Sequence, residues 1–466
     1  MEKSRLYELF CALDAKELKA LKKWVRSPFF NQRDHVIKLF DYLAANVTQA
    51  KPAPDRQAVF RALWPKLDFD DHKLRLSMSL LSKCIERYLI WVQMNEDEAK
   101  TKLNACQAYR KRGLNRHFLR AIKDADQLLE AQTERDASYY QDRHAYYLEQ
   151  YHFTAQQNRM EGIPLEDVQN NLDIAYMATK LKQSCSMLSH QAIYKKEYSF
   201  GLLSEVLEYI EEHDYLEHPA ISVYYYAYQA LRPGSQETYF HAFKDALVTQ
   251  QSHFKPAEVR NLFLLATNYC IQQLNRGLMQ YAQIGLDIYK EGLKSKVLLH
   301  NGTISNFTYT NIVAKAIVCK DFDWAAQFVE SYRPFLEPQH RESSYFYNRA
   351  WLQYEQQAYD EALRLLNQVN ISDLLLNIAA KTIAMKIYYE LGEFDLLHSH
   401  MEAMQTFLRR KKMMAYHKES YANTIKYLRK VLDLPLGDRL KRAQLKAEVN
   451  DIRAIAEKKW LLRQLS

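Results

Sequence analysis

Apolar and polar positions alternate with a helical period along most of the chain, and residues 345–369 show the pattern most clearly. Phe346, Ala350 and Tyr354 recur every four residues, which places their side chains on one face of a helix. Residues 356–358 interrupt the pattern. A second apolar stripe then follows, formed by Ala362, Leu365, Leu366 and Val369. The stretch therefore predicts two helices joined by a short turn, which is a helical hairpin.

A five-residue phrase with an aromatic residue in second place occurs three times within residues 306–404. The copies are Asp321-Phe322-Asp323-Trp324-Ala325, Ala358-Tyr359-Asp360-Glu361-Ala362 and Glu393-Phe394-Asp395-Leu396-Leu397. The first and second aromatic residues are 37 positions apart, and the second and third are 35 apart. A period of this length is typical of arrays of helical hairpins, in which each hairpin buries its apolar face by stacking on its neighbours.

The segment Ile387–Leu397 resembles the middle of a tetratricopeptide repeat, with a tyrosine, a turn glycine and an aromatic residue in order. Lys320 and Gln357 stand where the other two copies would have the turn glycine, and Leu397 replaces the usual small residue. The layout of the whole chain, including Ser27-Pro-Phe-Phe-Asn31, is also similar to uncharacterised bacterial helical-repeat proteins. That second resemblance implies no function.

The resemblance to tetratricopeptide repeats implies a binding face. In such arrays the first helix of each hairpin lines a concave groove, and asparagines there commonly hold the backbone of a ligand peptide. In this chain the implied groove residues are Thr310, Asn311, Tyr347, Asn348, Tyr354, Lys386 and Tyr389.

The regions that flank the repeats are also predicted to be helical. Asp14 and Glu17 have the spacing of a capping box, which starts a helix within a compact N-terminal domain, residues 1–95. Residues 96–435 are predicted to form the repeat array, and residues 436–466 one amphipathic capping helix. The predicted fold class is all-α: stacked antiparallel helical hairpins, a tetratricopeptide-like α-α superhelix, preceded by a helical domain.

Composition agrees with this fold class and bears on the cellular compartment. The 466 residues include 10 glycines and 11 prolines, well below the typical shares of about 7% and 5%.

The six cysteines lack the close spacings of zinc sites or disulfide frameworks. Apolar runs such as Leu262–Cys270 are too short to span a membrane. We therefore expect a cytoplasmic protein with reduced thiols and no membrane partner.

Positive charge is concentrated at the two ends of the sequence. Residues 1–100 contain 18 Lys or Arg and 14 Asp or Glu, a net charge of +4. Residues 101–400 contain 30 and 35, a net charge of −5, and residues 401–466 contain 16 and 7, a net charge of +9. The densest basic cluster comprises Arg409, Arg410, Lys411, Lys412 and Lys418. It is either a phosphate-binding patch for nucleic acid or a set of cations that favours the C-terminal end of a helix.

Signatures of catalysis and ligand binding are nearly absent from the sequence. It has no glycine-rich phosphate loop, no His-Glu-x-x-His and no Gly-x-Ser-x-Gly. Glu149 and His152 have the spacing used in di-iron bundles, but the only other such pair, Glu337 and His340, has Pro338 between its members. We predict no catalytic residue, no metal ligand and no cofactor.

These observations favour a non-enzymatic helical-repeat scaffold or adaptor that binds a protein or peptide partner. The alternative is a regulator that contacts nucleic acid through its N-terminal domain or its basic C-terminal cluster, while the repeats sense a ligand. An enzyme is a third hypothesis, and it lacks an assembled set of nucleophile, base and metal ligands.

Overall fold

The computed structural model describes residues 1, 4–49, 51–157, 163–194, 196–369, 374–410, 415–435 and 438–466. These residues form 23 α-helices, three short 3-10 helices and two isolated β-bridges, with no β-strand. The all-α prediction is confirmed. The chain divides into two compact units, residues 1–179 and 180–466. The domain boundaries after residues 95 and 435 stay predictions.

The α-helices are, in chain order, α1 (Arg5–Ala12), α2 (Ala15–Arg26), α3 (Asp34–Thr48), α4 (Arg56–Leu63), α5 (Asp71–Asn95), α6 (Glu98–Arg110), α7 (Asn115–Ala131), α8 (Ala137–Gln156), α9 (Leu165–Tyr194), α10 (Leu203–Glu212), α11 (Pro219–Leu231), α12 (Glu237–Gln250), α13 (Pro256–Asn275), α14 (Gln280–Lys294), α15 (Asn306–Val318), α16 (Phe322–Tyr332), α17 (Arg341–Glu355), α18 (Tyr359–Leu366), α19 (Leu374–Glu390), α20 (Phe394–Arg410), α21 (Ala415–Leu432), α22 (Arg439–Asp451) and α23 (Lys458–Gln464). The 3-10 helices are Asp214–Glu217, Gln251–His253 and Arg333–Phe335.

Helices α1 to α5 share one apolar core. The predicted capping box starts α2: Asp14 Oδ1 accepts from the Glu17 amide at 2.7 Å, and Glu17 Oε2 accepts from the Asp14 amide at 2.9 Å. The apolar stripes of these helices meet in the interior, where the buried residues include Phe10, Leu21, Val25, Val36, Leu39, Phe40, Phe60, Leu74, Leu81 and Ile85.

Helices α6, α7 and α8 form a second core in the same unit. Cys106 of α6, Phe118 of α7 and Tyr146 of α8 are buried in it. A bidentate ion pair crosses this bundle, since Arg110 donates to both carboxylate oxygens of Glu149 at 2.8 and 3.0 Å. The pair joins the end of α6 to α8.

In the second unit the three copies of the repeated phrase begin α16, α18 and α20. Each of these helices packs on the helix before it, and α15, α17 and α19 pack on one another in succession. The fifth residue of each copy is completely buried at the contact between the two helices of its hairpin: Ala325, Ala362 and Leu397. Whether the hairpins wind into a tetratricopeptide-like superhelix stays a prediction.

The turns of the three hairpins have the same backbone geometry. Lys320, Gln357 and Gly392 have φ angles of 59°, 62° and 75°. In each turn this residue donates its amide to the carbonyl three positions back, and the next residue donates to the carbonyl five positions back, at 2.9–3.1 Å. This pair of bonds closes a helix when its last turn ends in a left-handed residue. Gly113 and Gly277 close α6 and α13 in the same way.

A glycine at Gln357 is therefore expected to stabilise the protein. The left-handed conformation costs a residue with a Cβ atom about 1–2 kcal/mol, part of which the extra flexibility of glycine in the unfolded chain offsets. We expect Gln357→Gly to raise the free energy of unfolding by about 0.5–1 kcal/mol, measured by urea denaturation. Gln356→Gly is the control because Gln356 has φ −89°. Equal changes in the two variants would contradict this explanation of the turn.

The prediction of one continuous C-terminal helix is wrong. The chain turns between α22 and α23, and the cause lies in side chains of α21. Asn423 Nδ2 donates to the carbonyl of Ala454 at 2.8 Å, and Thr424 Oγ1 donates to the carbonyl of Ala456 at 2.9 Å. These bonds hold the backbone of Ala454 and Ala456 in the turn between the two helices. The turn ends at Glu457, which has a left-handed φ of 48°. Helices α19 to α23 then share one core.

No helix in the described part of the chain is long and apolar enough to cross a membrane.

Candidate functional site

The seven residues of the implied groove differ widely in accessibility. Four of them are buried, namely Tyr347, Asn348, Tyr354 and Lys386. Thr310 and Tyr389 are half-buried, and Asn311 is exposed. The structure therefore leaves only the last three open to a partner, and the seven do not line one open groove.

A segment of the chain itself covers part of this face. Lys386 of α19 donates from Nζ to Glu457 Oε2 at 2.8 Å, and the same ammonium lies 4.5 Å from the centre of the Tyr354 ring. Lys386 is 4% exposed. Burial of an ammonium is costly unless a carboxylate and hydrogen bonds compensate it, and Glu457 supplies that carboxylate.

At the end of α19, a second carboxylate accepts hydrogen bonds from three side chains. Glu390 accepts hydrogen bonds from the hydroxyls of Tyr354 and Tyr359, each at 2.6 Å, and from Trp460 Nε1 at 2.7 Å. We call these four residues the Glu390 cluster. Trp460 also meets the ring of Tyr389 edge to face, with centroids 5.3 Å apart. The cluster thus ties α17, α18 and α19 to α23.

The phenols of the Glu390 cluster remain hydrogen-bond donors at physiological pH. Burial, and then the hydrogen bond to Glu390, raise the pKa of Tyr359 to about 12. The same two causes raise the pKa of Tyr354 well above its usual range. Both hydroxyls are therefore protonated across the pH range in which the protein would work.

The two asparagines at equivalent repeat positions have different surroundings. Asn348 donates from Nδ2 to Thr310 Oγ1 at 3.1 Å and to the carbonyl of Ser344 at 2.7 Å. Its Oδ1 is buried and has no hydrogen-bond partner in the described part of the chain. Asn311 is exposed. Of the two, only Asn311 is accessible to a peptide.

Three residues of the predicted basic cluster lie within the described part of the chain. Arg409 and Arg410 are exposed at the end of α20, and Lys418 on α21 is half-buried. Lys411 and Lys412 lie outside the described residues. A common phosphate-binding surface for the five stays a prediction.

The di-iron spacing of Glu149 and His152 has a structural explanation. Both oxygens of Glu149 accept from Arg110, so the carboxylate is already engaged. No group of three or more His, Cys, Asp or Glu side chains that could hold a metal ion was found among the described residues. The Glu149 carboxylate therefore forms an ion pair between α6 and α8.

Lys315 is a buried cation that the sequence analysis missed. It lies on α15 and is 3% exposed, and burial lowers the pKa of its ammonium. Its stem occupies space left by the missing side chain of Gly285, where a Cβ atom would lie 2.8 Å from Lys315 Cε. The single lysine within an otherwise apolar run was the available signal. Since its own stem fills the space beside Gly285, we assign Lys315 a packing role.

Comparisons of the chain with protein-family models, with curated proteins and with solved structures found no match.

Proposed function

We propose that this chain is a non-enzymatic scaffold that binds a protein or peptide partner on the first helices of its tetratricopeptide-like hairpins. The observation that carries the proposal is the contact between α19 and the chain's own Glu457 and Trp460. The face that would bind a partner already holds a polypeptide segment in cis.

The contact uses an ion pair and a charged hydrogen bond, which are interactions by which proteins recognise peptides. The buried ammonium of Lys386 pairs with the carboxylate of Glu457, and the exposed carboxylate of Glu390 accepts a hydrogen bond from the indole of Trp460. One acidic and one aromatic side chain of the segment are thus each bound by a charged group. The pair with Lys386 discriminates strongly, because a segment without a carboxylate at this place would leave the buried ammonium without its partner.

A partner in trans would use the part of the face that residues 457–460 leave uncovered. Asn311 on α15 is exposed there, and Thr310 beside it is half-buried. Rigid packed helices support such a role because the bound surface loses little conformational entropy on association. We extend the proposal to a cytoplasmic location, which the six free cysteines support.

The test is a pull-down with the tagged full-length chain from native lysate, with and without nuclease, read by mass spectrometry and by recovery of nucleic acid. We expect one protein at near-stoichiometric yield in both halves, and its yield to fall about tenfold or more with Asn311→Arg. Gln327→Arg, at an exposed amide on α16, is the matched control and should retain the partner.

Two results would contradict the proposal. One is recovery that depends on nucleic acid, which would favour the alternative function. The other is an equal yield from the Asn311→Arg and Gln327→Arg variants, which would remove α15 from the binding face.

A further inference from the structure

The loop that follows α2 exposes an aromatic side chain to solvent. Phe29 is 85% exposed. The loop around it is nevertheless pinned, since the Asn31 amide donates to the Ser27 carbonyl at 3.0 Å. Asn31 Nδ2 also donates to the Val25 carbonyl at 3.0 Å, and its Oδ1 accepts from the Arg33 amide at 3.1 Å. The exposed ring therefore belongs to an ordered loop that needs little further ordering to bind.

Phe29 is one end of a continuous aromatic surface. Its ring meets Phe30 edge to face with centroids 5.0 Å apart, and Phe30 stacks on Trp24 at 3.5 Å. Trp24 in turn contacts Trp91 of α5 at 5.6 Å, and Trp91 is 51% exposed. Contiguous exposed apolar groups of this size mark interaction sites more often than isolated ones do.

A cleft of about 320 Å³ opens beside these rings, between the loop and α5. Its charged lining residues are Arg33, Lys83 and Arg87, and no Asp or Glu lines it. None of the three cations forms an ion pair within the described part of the chain. Lys83, Arg87 and Trp91 follow one another at four-residue intervals, so two cations and an exposed ring share one face of α5.

We propose that this aromatic–basic cleft binds an acidic segment of a partner protein that carries an apolar or aromatic side chain beside its carboxylates. Charge complementarity assigns the carboxylates to Arg33, Lys83 and Arg87, and the apolar side chain packs against Phe29 and Trp91. Tryptophan and arginine are the residues that most often carry the binding energy of protein interfaces. The site lies in the first unit and does not depend on the function proposed for the repeats.

The surroundings of the cleft favour a protein partner over single-stranded nucleic acid, which also binds cations and aromatic rings. Met94 is 60% exposed on the same face of α5 as Trp91, and its aliphatic surface suits a side chain better than a base.

The first experiment selects short random peptides, displayed on phage, against the full-length protein. We compare the natural chain, the double variant Lys83→Gln/Arg87→Gln and the control Arg61→Gln/Lys66→Gln. The two cations of the control are exposed elsewhere in the same unit. We expect peptides rich in Asp or Glu with an apolar side chain to be enriched by the natural chain and the control only. No enrichment, or equal enrichment by all three proteins, overturns the proposal.

The second experiment measures fluorescence anisotropy with one enriched peptide made synthetically and with oligo(dT). We expect the peptide Kd to rise about tenfold or more in Lys83→Gln/Arg87→Gln and in Phe29→Ser, and to stay within about twofold in the control. Phe29 is so exposed that its replacement leaves the core intact, and circular dichroism checks this. Tighter binding of oligo(dT) than of the peptide, lost in the same double variant, overturns the proposal and assigns the cleft to nucleic acid.

Discussion

Replacing Arg110 by methionine is expected to lower the free energy of unfolding by about 3–5 kcal/mol. Arg110 and Glu149 are both largely removed from water, with side chains 11% and 10% exposed. Removing the guanidinium leaves the Glu149 carboxylate buried without its two hydrogen bonds, and that uncompensated charge causes most of the loss. Urea denaturation followed by circular dichroism measures the change.

A double variant separates the ion pair from the packing around it. Arg110→Met/Glu149→Met removes both charges and fills the space with apolar atoms, so we expect it to be more stable than Arg110→Met alone. Arg112→Met is the control, because this side chain is exposed and its loss should change stability by less than about 0.5 kcal/mol. A double variant as unstable as the single one would show that the stems of these residues, and not their charges, matter.

Local patterns predict the hairpin turns well. The hydrophobic period on either side places a turn at Lys320, Gln357 and Gly392, and all three have the same left-handed backbone. The absence of glycine at two of these positions did not move the turn, because the ends of the flanking apolar stripes determine where each helix stops. The left-handed backbone at Lys320 and Gln357 is modestly strained, and tertiary packing outweighs this strain.

Contacts between distant residues could not be predicted in the same way. Glu149 lies one helical turn from His152 in sequence, but its partner Arg110 is 39 positions away. The break after α22 was missed because it is imposed by Asn423 and Thr424 on another helix. The resemblance to tetratricopeptide repeats implied that Lys386 lines a groove. The sequence around Lys386 did not indicate that the distant Glu457 would cover it.

Trp460→Ala is the second change with a large expected effect, a loss of about 3–5 kcal/mol. Trp460 is 1% exposed and packs in the core that α19 to α23 share. Its loss leaves a cavity and removes one of three donors to Glu390. Hydrogen exchange should show the loss of protection in α19 to α23, while α1 to α5 keep theirs.

Trp460→Phe separates the hydrogen bond of this residue from its packing. Phenylalanine keeps most of the apolar area but cannot donate to Glu390, which retains the hydroxyls of Tyr354 and Tyr359. Hydrogen bonds to charged groups contribute about 1.5–3 kcal/mol, so we expect this variant to lie between the natural chain and Trp460→Ala. Leu440→Ala, at a side chain 79% exposed on α22, is the control. If Trp460→Ala left protection in α19 to α23 unchanged, residues 457–460 would be a loosely attached end, and the face they cover would be free for a partner without competition.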